Sequence, residues 1–166
     1  MKLLIIALFT ISFNLFSQEI NNKVFDEKFN DSLIVGECNI NAFRIAPYNN
    51  WFNDEYNNYE PNDSIINLLK TSVKNVNITI ILGVWCSDSR REFPRFIKIL
   101  DLIGFDYSKL TIIAVNTKKD AVFKDISNYN IELIPTFIFY KKETELGRII
   151  ETPQKTLEND LFTFIN

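Results

Sequence analysis

The segment Trp85-Cys86-Ser87-Asp88-Ser89 is where this chain could do chemistry. An ionised cysteine thiol is a strong nucleophile near neutral pH. Cys86 lies between a β-branched run, residues 77–84, and a stretch of helical spacing that starts at Arg90. Its sulfur therefore belongs at a strand-to-helix turn. Unpaired amide N–H groups and the positive end of the helix dipole favour a thiolate at such a place. Arg90 and Arg91 add positive charge nearby while Asp88 opposes them, which leaves the net direction open. The chain has no histidine, two cysteines and four glycines. Histidine-dependent triads, zinc sites built from histidine or from cysteine alone, and glycine-rich phosphate loops are thereby excluded. No cofactor or metal is expected; Asp88 and Glu92, one helical turn apart, read as a solvated face.

Positioning such a thiol takes a buried strand before it and a helix after it. The run 77–84 is apolar enough to be covered on both faces. Phe93, Phe96, Ile97, Leu100 and Ile103 keep helical spacing up to a stop at Gly104. A second buried strand is expected over 110–115, a short helix over 121–129, and a hairpin of strands 136–140 and 146–150 joined by the charged turn 141–145. Thr152-Pro153 reads as a cap with proline at the first helical position, opening a terminal helix. Upstream, Asn62-Asp63-Ser64 starts a helix carrying Ile65, Ile66, Leu68, Leu69 and Val73. Before that, Trp51, Phe52, Tyr56 and Tyr59 recur at helical spacing, a stripe that reads as core, and Leu33-Ile34-Val35 reads as an edge strand. The order α-β-α-β-α-β-β-α demands an α/β fold with a mixed central sheet and helices on both faces.

Residues 1–17 stand apart. Lys2 is followed by an apolar run over residues 3–16, and a small residue, Ser17, precedes Gln18. A positive start, a short apolar stretch and a small residue at the cleavage point make a signal peptide. The run is too short and too polar towards its end for a membrane span of about 20 residues; an uncleaved anchor is the rival reading. The mature chain then begins near Gln18, exported to the periplasm, with no membrane contact after cleavage. Such a compartment is oxidising, so thiols there exchange with disulfides. At 166 residues, with 46% hydrophobic residues and a formal charge of −3, one domain suffices and nucleic acid is not an expected partner.

Over residues 65–165 the chain resembles the thioredoxin family in four linked places. Trp85 immediately precedes Cys86, as the family's tryptophan precedes its nucleophile. Pro94, eight residues later, stands where the family kinks its active-site helix. Ile134-Pro135-Thr136 matches the segment with a cis-proline that lies beside the cysteine and accepts a substrate's backbone. The hairpin and terminal helix follow in the family's order. The resemblance implies a thioredoxin-like three-layer sandwich over residues 65–166, preceded by an N-terminal extension, 18–64, with an aromatic-rich helix. It makes Cys86 the nucleophile and assigns substrate contact to Trp85, Ser87, Asp88, Ile134, Pro135 and Thr136.

The departures are informative. Where thioredoxins carry a second active-site cysteine this chain has Ser89, and Ile80 stands where many keep a buried aspartate. Serine cannot resolve a mixed disulfide, which argues against an ordinary disulfide reductase. Ser89 could stabilise the Cys86 thiolate, or form a capping box with Glu92 at the helix start. In the latter case Cys86 is farther from the dipole. Cys38, 48 positions upstream of Cys86, is a possible resolving thiol or a buried small hydrophobe. Three functions fit. The leading one is single-thiol exchange with thiols or disulfides of exported proteins. The second is a redox-inactive binding module of the same fold, and the weakest is a thiol peroxidase.

Overall fold

The computed structural model describes residues 20–166, so the expected signal peptide lies outside the described residues. Along the chain run β1 (Asn22–Asp26), β2 (Asp31–Cys38), α1 (Asn49–Asn58), α2 (Asp63–Ser72), β3 (Val76–Leu82), α3 (Ser87–Ile103), β4 (Leu110–Ala114), β5 (Thr136–Lys141), β6 (Thr144–Ile150) and α4 (Leu157–Ile165). The strands form one mixed sheet in the order β1-β2-β4-β3-β5-β6. Parallel β3 and β4 bracket α3, and every other neighbouring pair is antiparallel. The fold is α/β and thioredoxin-like.

Side chains alternate along a strand, and the two faces of the sheet are buried in different ways. Ile78, Ile80, Leu82, Phe137 and Phe139 point to one face, where they meet residues from all four helices, among them Phe52, Leu69, Phe93, Phe96 and Leu161. Ile81, Ile113 and Ile138 point to the other. Coil from residues 116–135 forms the third layer there, through Ala121, Ile126, Tyr129, Ile131 and Ile134.

The helix expected over 121–129 is not formed. Polar side chains take the amides it needs: Asp120 Oδ1 accepts from Val122 N at 2.8 Å and Asp125 Oδ1 from Ser127 N at 2.9 Å. Such local bonds compete with a helix. A γ-turn results, in which Phe123 N donates to Ala121 O at 2.6 Å while Val122 sits at φ 58°. One 3-10 turn, Ser127–Tyr129, is all the helix that remains of that stretch.

The extension is more than helical. Leu33, Ile34 and Val35 belong to β2, which lies inside the sheet between β1 and β4 rather than at its edge. The edge is β1, whose Asn-Lys-Val-Phe-Asp sequence has too little apolar alternation to announce a strand. The aromatic stripe of α1 is core, as its spacing implies: Phe52 is buried and meets Phe93 edge-on at 5.9 Å. Asn62 caps α2 by accepting from Ile65 N at 3.2 Å. Gly104, at φ 65°, closes α3, with Phe105 N donating to Leu100 O at 2.9 Å. The terminal helix starts later than Thr152-Pro153 suggests. Thr156 is its cap, because the Asp160 carboxylate draws the Gln154 and Lys155 amides to itself, at 2.6 and 3.3 Å.

Candidate thiol site at the start of helix α3

β3 ends at Leu82, and the chain turns tightly through Gly83, Val84 and Trp85, with Cys86 N donating to Gly83 O at 2.9 Å. Gly83 is needed for this turn. A Cβ there would lie 2.7 Å from Trp85 Nε1 and 2.8 Å from Ile134 Cδ1. The close approach lets both side chains pack over the backbone, and Trp85 Nε1 donates to Val115 O at 3.0 Å. Helix α3 opens immediately afterwards with Cys86 as its N-cap residue, φ −86° and ψ 128°, and Arg90 N donates back to Cys86 O at 3.0 Å. The sulfur therefore stands at the helix start, where the first-turn amides have no intrahelical acceptor.

Ser89 does not open a capping box. It lies in the first turn, 1% exposed, and its Oγ accepts from Gly83 N at 3.2 Å. That amide would otherwise be orphaned where β3 stops. Glu92 likewise does not reach back to the helix start. It is buried and held by Arg91 Nε at 2.6 Å and Arg95 at 3.8 Å. The nearby charge is thus largely spent within the chain: Arg91 also grips Asp88 Oδ1 at 2.6 Å. Arg90 is tethered through Nε to Val84 O at 2.5 Å.

Opposite the sulfur is the Ile134-Pro135 segment, whose peptide bond is cis as expected. Cys86 Sγ donates to Ile134 O at 3.4 Å. One of the anticipated contact residues takes another place. Thr136 is buried, its hydroxyl donating to Leu133 O at 2.6 Å, and it is paired across to Ile81 on one side and Ile150 on the other. No incoming strand can add to the sheet at Thr136. The backbone group that faces the thiol is the Ile134 carbonyl. Ser87 is exposed and Cys86 half-buried, so the start of α3 is open to solvent.

Cys38 is not within reach of this site. It is 7% exposed at the end of β2, paired with Ile112 in the helix-covered core, while Cys86 packs on the coil-covered side. Both thiols are free. Burial pushes the Cys38 thiol up to about 12, a group that stays protonated. Ile80 is fully buried among apolar side chains, so no carboxylate stands at that position beneath the turn. Among the described residues no cluster of three or more acidic or sulfur side chains could hold a metal, and no helix is long and apolar enough to cross a membrane. Reading residue types missed Gly83 and the wall that α1 builds beside Trp85. The glycine between a β-branched run and Trp85-Cys86 was the available signal for the first of these.

Two solved structures share this arrangement of elements. One is a Pseudomonas aeruginosa protein of unknown function, 18% identical, with a TM-score of 0.53 over 75% of this chain and 76% of the other. The second is an HIV epitope-scaffold, 15% identical, with a TM-score of 0.51 over 78% and 82%. Mitochondrial thioredoxin 3 of Saccharomyces cerevisiae aligns at 16% identity over 67% of this chain and 96% of its own, with a TM-score of 0.38. No family model and no curated protein matches the sequence. At such identities the likeness is one of fold alone.

Proposed function

We propose that the chain is an exported single-thiol exchange protein that works through a mixed disulfide at Cys86. The observation that carries this reading is a free, half-exposed thiol at the N-cap of α3, facing the Ile134 carbonyl, with the chain's other thiol sealed in the core. The Cys86 thiolate attacks one sulfur of a partner's disulfide. A new S–S bond forms to Cys86, and the partner's second sulfur leaves as a thiolate and takes up a proton. A thiolate from the partner or from a separate dithiol protein then attacks the Cys86–partner bond, forming a new disulfide and returning Cys86 as a thiol. The cycle rearranges disulfides and needs no oxidant when the attacking thiol belongs to the partner itself. Substrates of this kind are exported proteins with disulfides still open to rearrangement. The apolar leader of residues 1–17 supports export.

The test uses the mature chain carrying Cys38→Ala, so that Cys86 is the sole thiol. Its second-order rate with dithiodipyridine is compared with that of free cysteine at the same pH, and a mixed disulfide is sought with a scrambled-disulfide protein. A rate roughly tenfold or more above free cysteine, with a trapped adduct lost in Cys86→Ser, is the expected result. A sluggish thiol that traps nothing would leave a binding module of the same fold.

A further inference from the structure

Both tryptophans of the chain line one groove of about 300 Å³ beside the thiol turn. Trp51 and Asp54 come from α1; Trp85, Ser87 and Arg90 come from the turn and the first helical residues of α3. The position of α1 is fixed independently of any ligand. Arg95 of α3 holds Glu55 at 2.7 Å, and Phe52 packs on Phe93. Trp51 is only partly buried: its ring packs against Phe43, Tyr48 and Phe52 at 6.2–6.5 Å, and its remaining surface lines the groove.

The charges along the groove are not equally spent. Glu55 is paired with Arg95, and Arg91 with Asp88 and Glu92. Arg90 is anchored through Nε to a backbone carbonyl, and neither it nor Asp54 forms an ion pair among the described residues. The groove therefore offers an apolar wall of two indoles, with an unspent cation on the α3 side and an unspent anion on the α1 side. An occupant that complements its α3 side, the side that carries Cys86, has an apolar side chain next to a carboxylate, kept on that side by the repulsion from Asp54.

Building on the exchange reading, we propose that this groove binds the partner's polypeptide next to the sulfur that Cys86 attacks, with an apolar side chain between Trp51 and Trp85 and an acidic residue on Arg90. The extension, through α1, then sets which disulfides the thiol meets. Selectivity comes from a non-covalent contact one residue away from the chemistry, where Ser87 and Trp85 flank Cys86.

Two peptides, Gly-Cys-Phe-Glu-Gly and Gly-Cys-Phe-Lys-Gly, each activated as a mixed disulfide with thiopyridine, test this against full mature protein. The readout is each peptide's rate divided by the rate with dithiodipyridine. The expected result is a roughly tenfold preference for the glutamate peptide, reduced in Arg90→Gln and reversed or abolished in neither Lys118→Gln nor Lys155→Gln. Asp54→Lys, at an exposed position whose side chain makes no bond among the described residues, should raise the glutamate peptide's ratio further. Trp51→Leu should lower the ratio for both peptides. Equal ratios for the two peptides in the native protein, or ratios unmoved by Asp54→Lys, overturn the groove while leaving exchange standing. If Cys86 reacts with no disulfide at all, the exchange reading fails, and the groove is judged by tryptophan fluorescence. The S-methylated glutamate peptide should then still shift the emission, since both indoles line the site, and no shift overturns it.

Discussion

The two faces of the sheet differ in what covers them, and the two thiols divide between those faces. One face is packed by four helices around interlocked aromatic rings, with Phe93 4.9 Å from Phe43 and Phe96 4.8 Å from Phe137. Cys38 is sealed into it. The opposite face is covered by coil with positive φ at Lys119, Val122 and Asn130, and Cys86 stands at its rim. Helices bury apolar surface while satisfying their own amides. Coil must satisfy its amides with side chains such as Asn116, Asp120 and Asp125. The difference teaches that the sealed thiol and the accessible one are held by separate layers of one small fold.

The largest contrast should be chemical. In native protein, iodoacetamide is expected to modify Cys86 on the order of a thousandfold faster than Cys38, because modifying Cys38 requires opening the core; mass spectrometry of the two peptides over time measures it. Similar rates would end the comparison. The Cys38 shift also has a sign. Its thiol is raised from 9.0 to about 12 by burial, so the folded state holds the proton more tightly than the unfolded one. The stability it contributes is intact below pH 9 and is lost as pH rises towards 12, which denaturant titrations of native protein and Cys38→Ala across that window would reveal.

Next in size is the helical face itself. Phe93→Ala removes a fully buried ring shared by α1 and α3, and should cost about 3–5 kcal/mol of unfolding free energy. A loss well below that would mean that α1 does not stiffen this layer. Gly83→Ala acts at the junction between the layers. The added methyl must push against Trp85 and Ile134, so a cost of about 1–3 kcal/mol is expected, together with an altered Cys86 alkylation rate. A variant as stable as the parent, with an unchanged rate, would show that the turn tolerates more than its geometry allows. The smallest change should be favourable. Val122 is a β-branched residue at φ 58°, so Val122→Gly relieves strain and should raise stability by about 1 kcal/mol. Thermal melts compare the two.

Much of the fold was legible because burial writes a period into the chain. The runs that became β3 and β4, the spacing that became α3 and the stop at Gly104 all follow from which side chains must leave water. The segments that misled were those in which a polar side chain decided the outcome. Asp120 and Asp125 undid the helix over 121–129, Asp160 delayed α4, and Gly83's amide claimed the Ser89 hydroxyl that looked like a cap. Such bonds join groups whose meeting depends on the finished turn, and no periodicity records them.

By itself the sequence determined that Cys86 would sit between a buried strand and a helix, and that histidine catalysis was absent, because the chain has no histidine. Those conclusions rest on residue type and spacing, which are local. Tertiary structure decided that Cys86, not Ser89, is the residue at the helix start, that Cys38 is shut away from it, and that α1 brings Trp51 alongside Trp85. Each of these joins residues far apart in the chain or chooses between two caps three positions apart. Packing makes that choice, because it alone fixes which amides remain unpaired and which side chains share a surface.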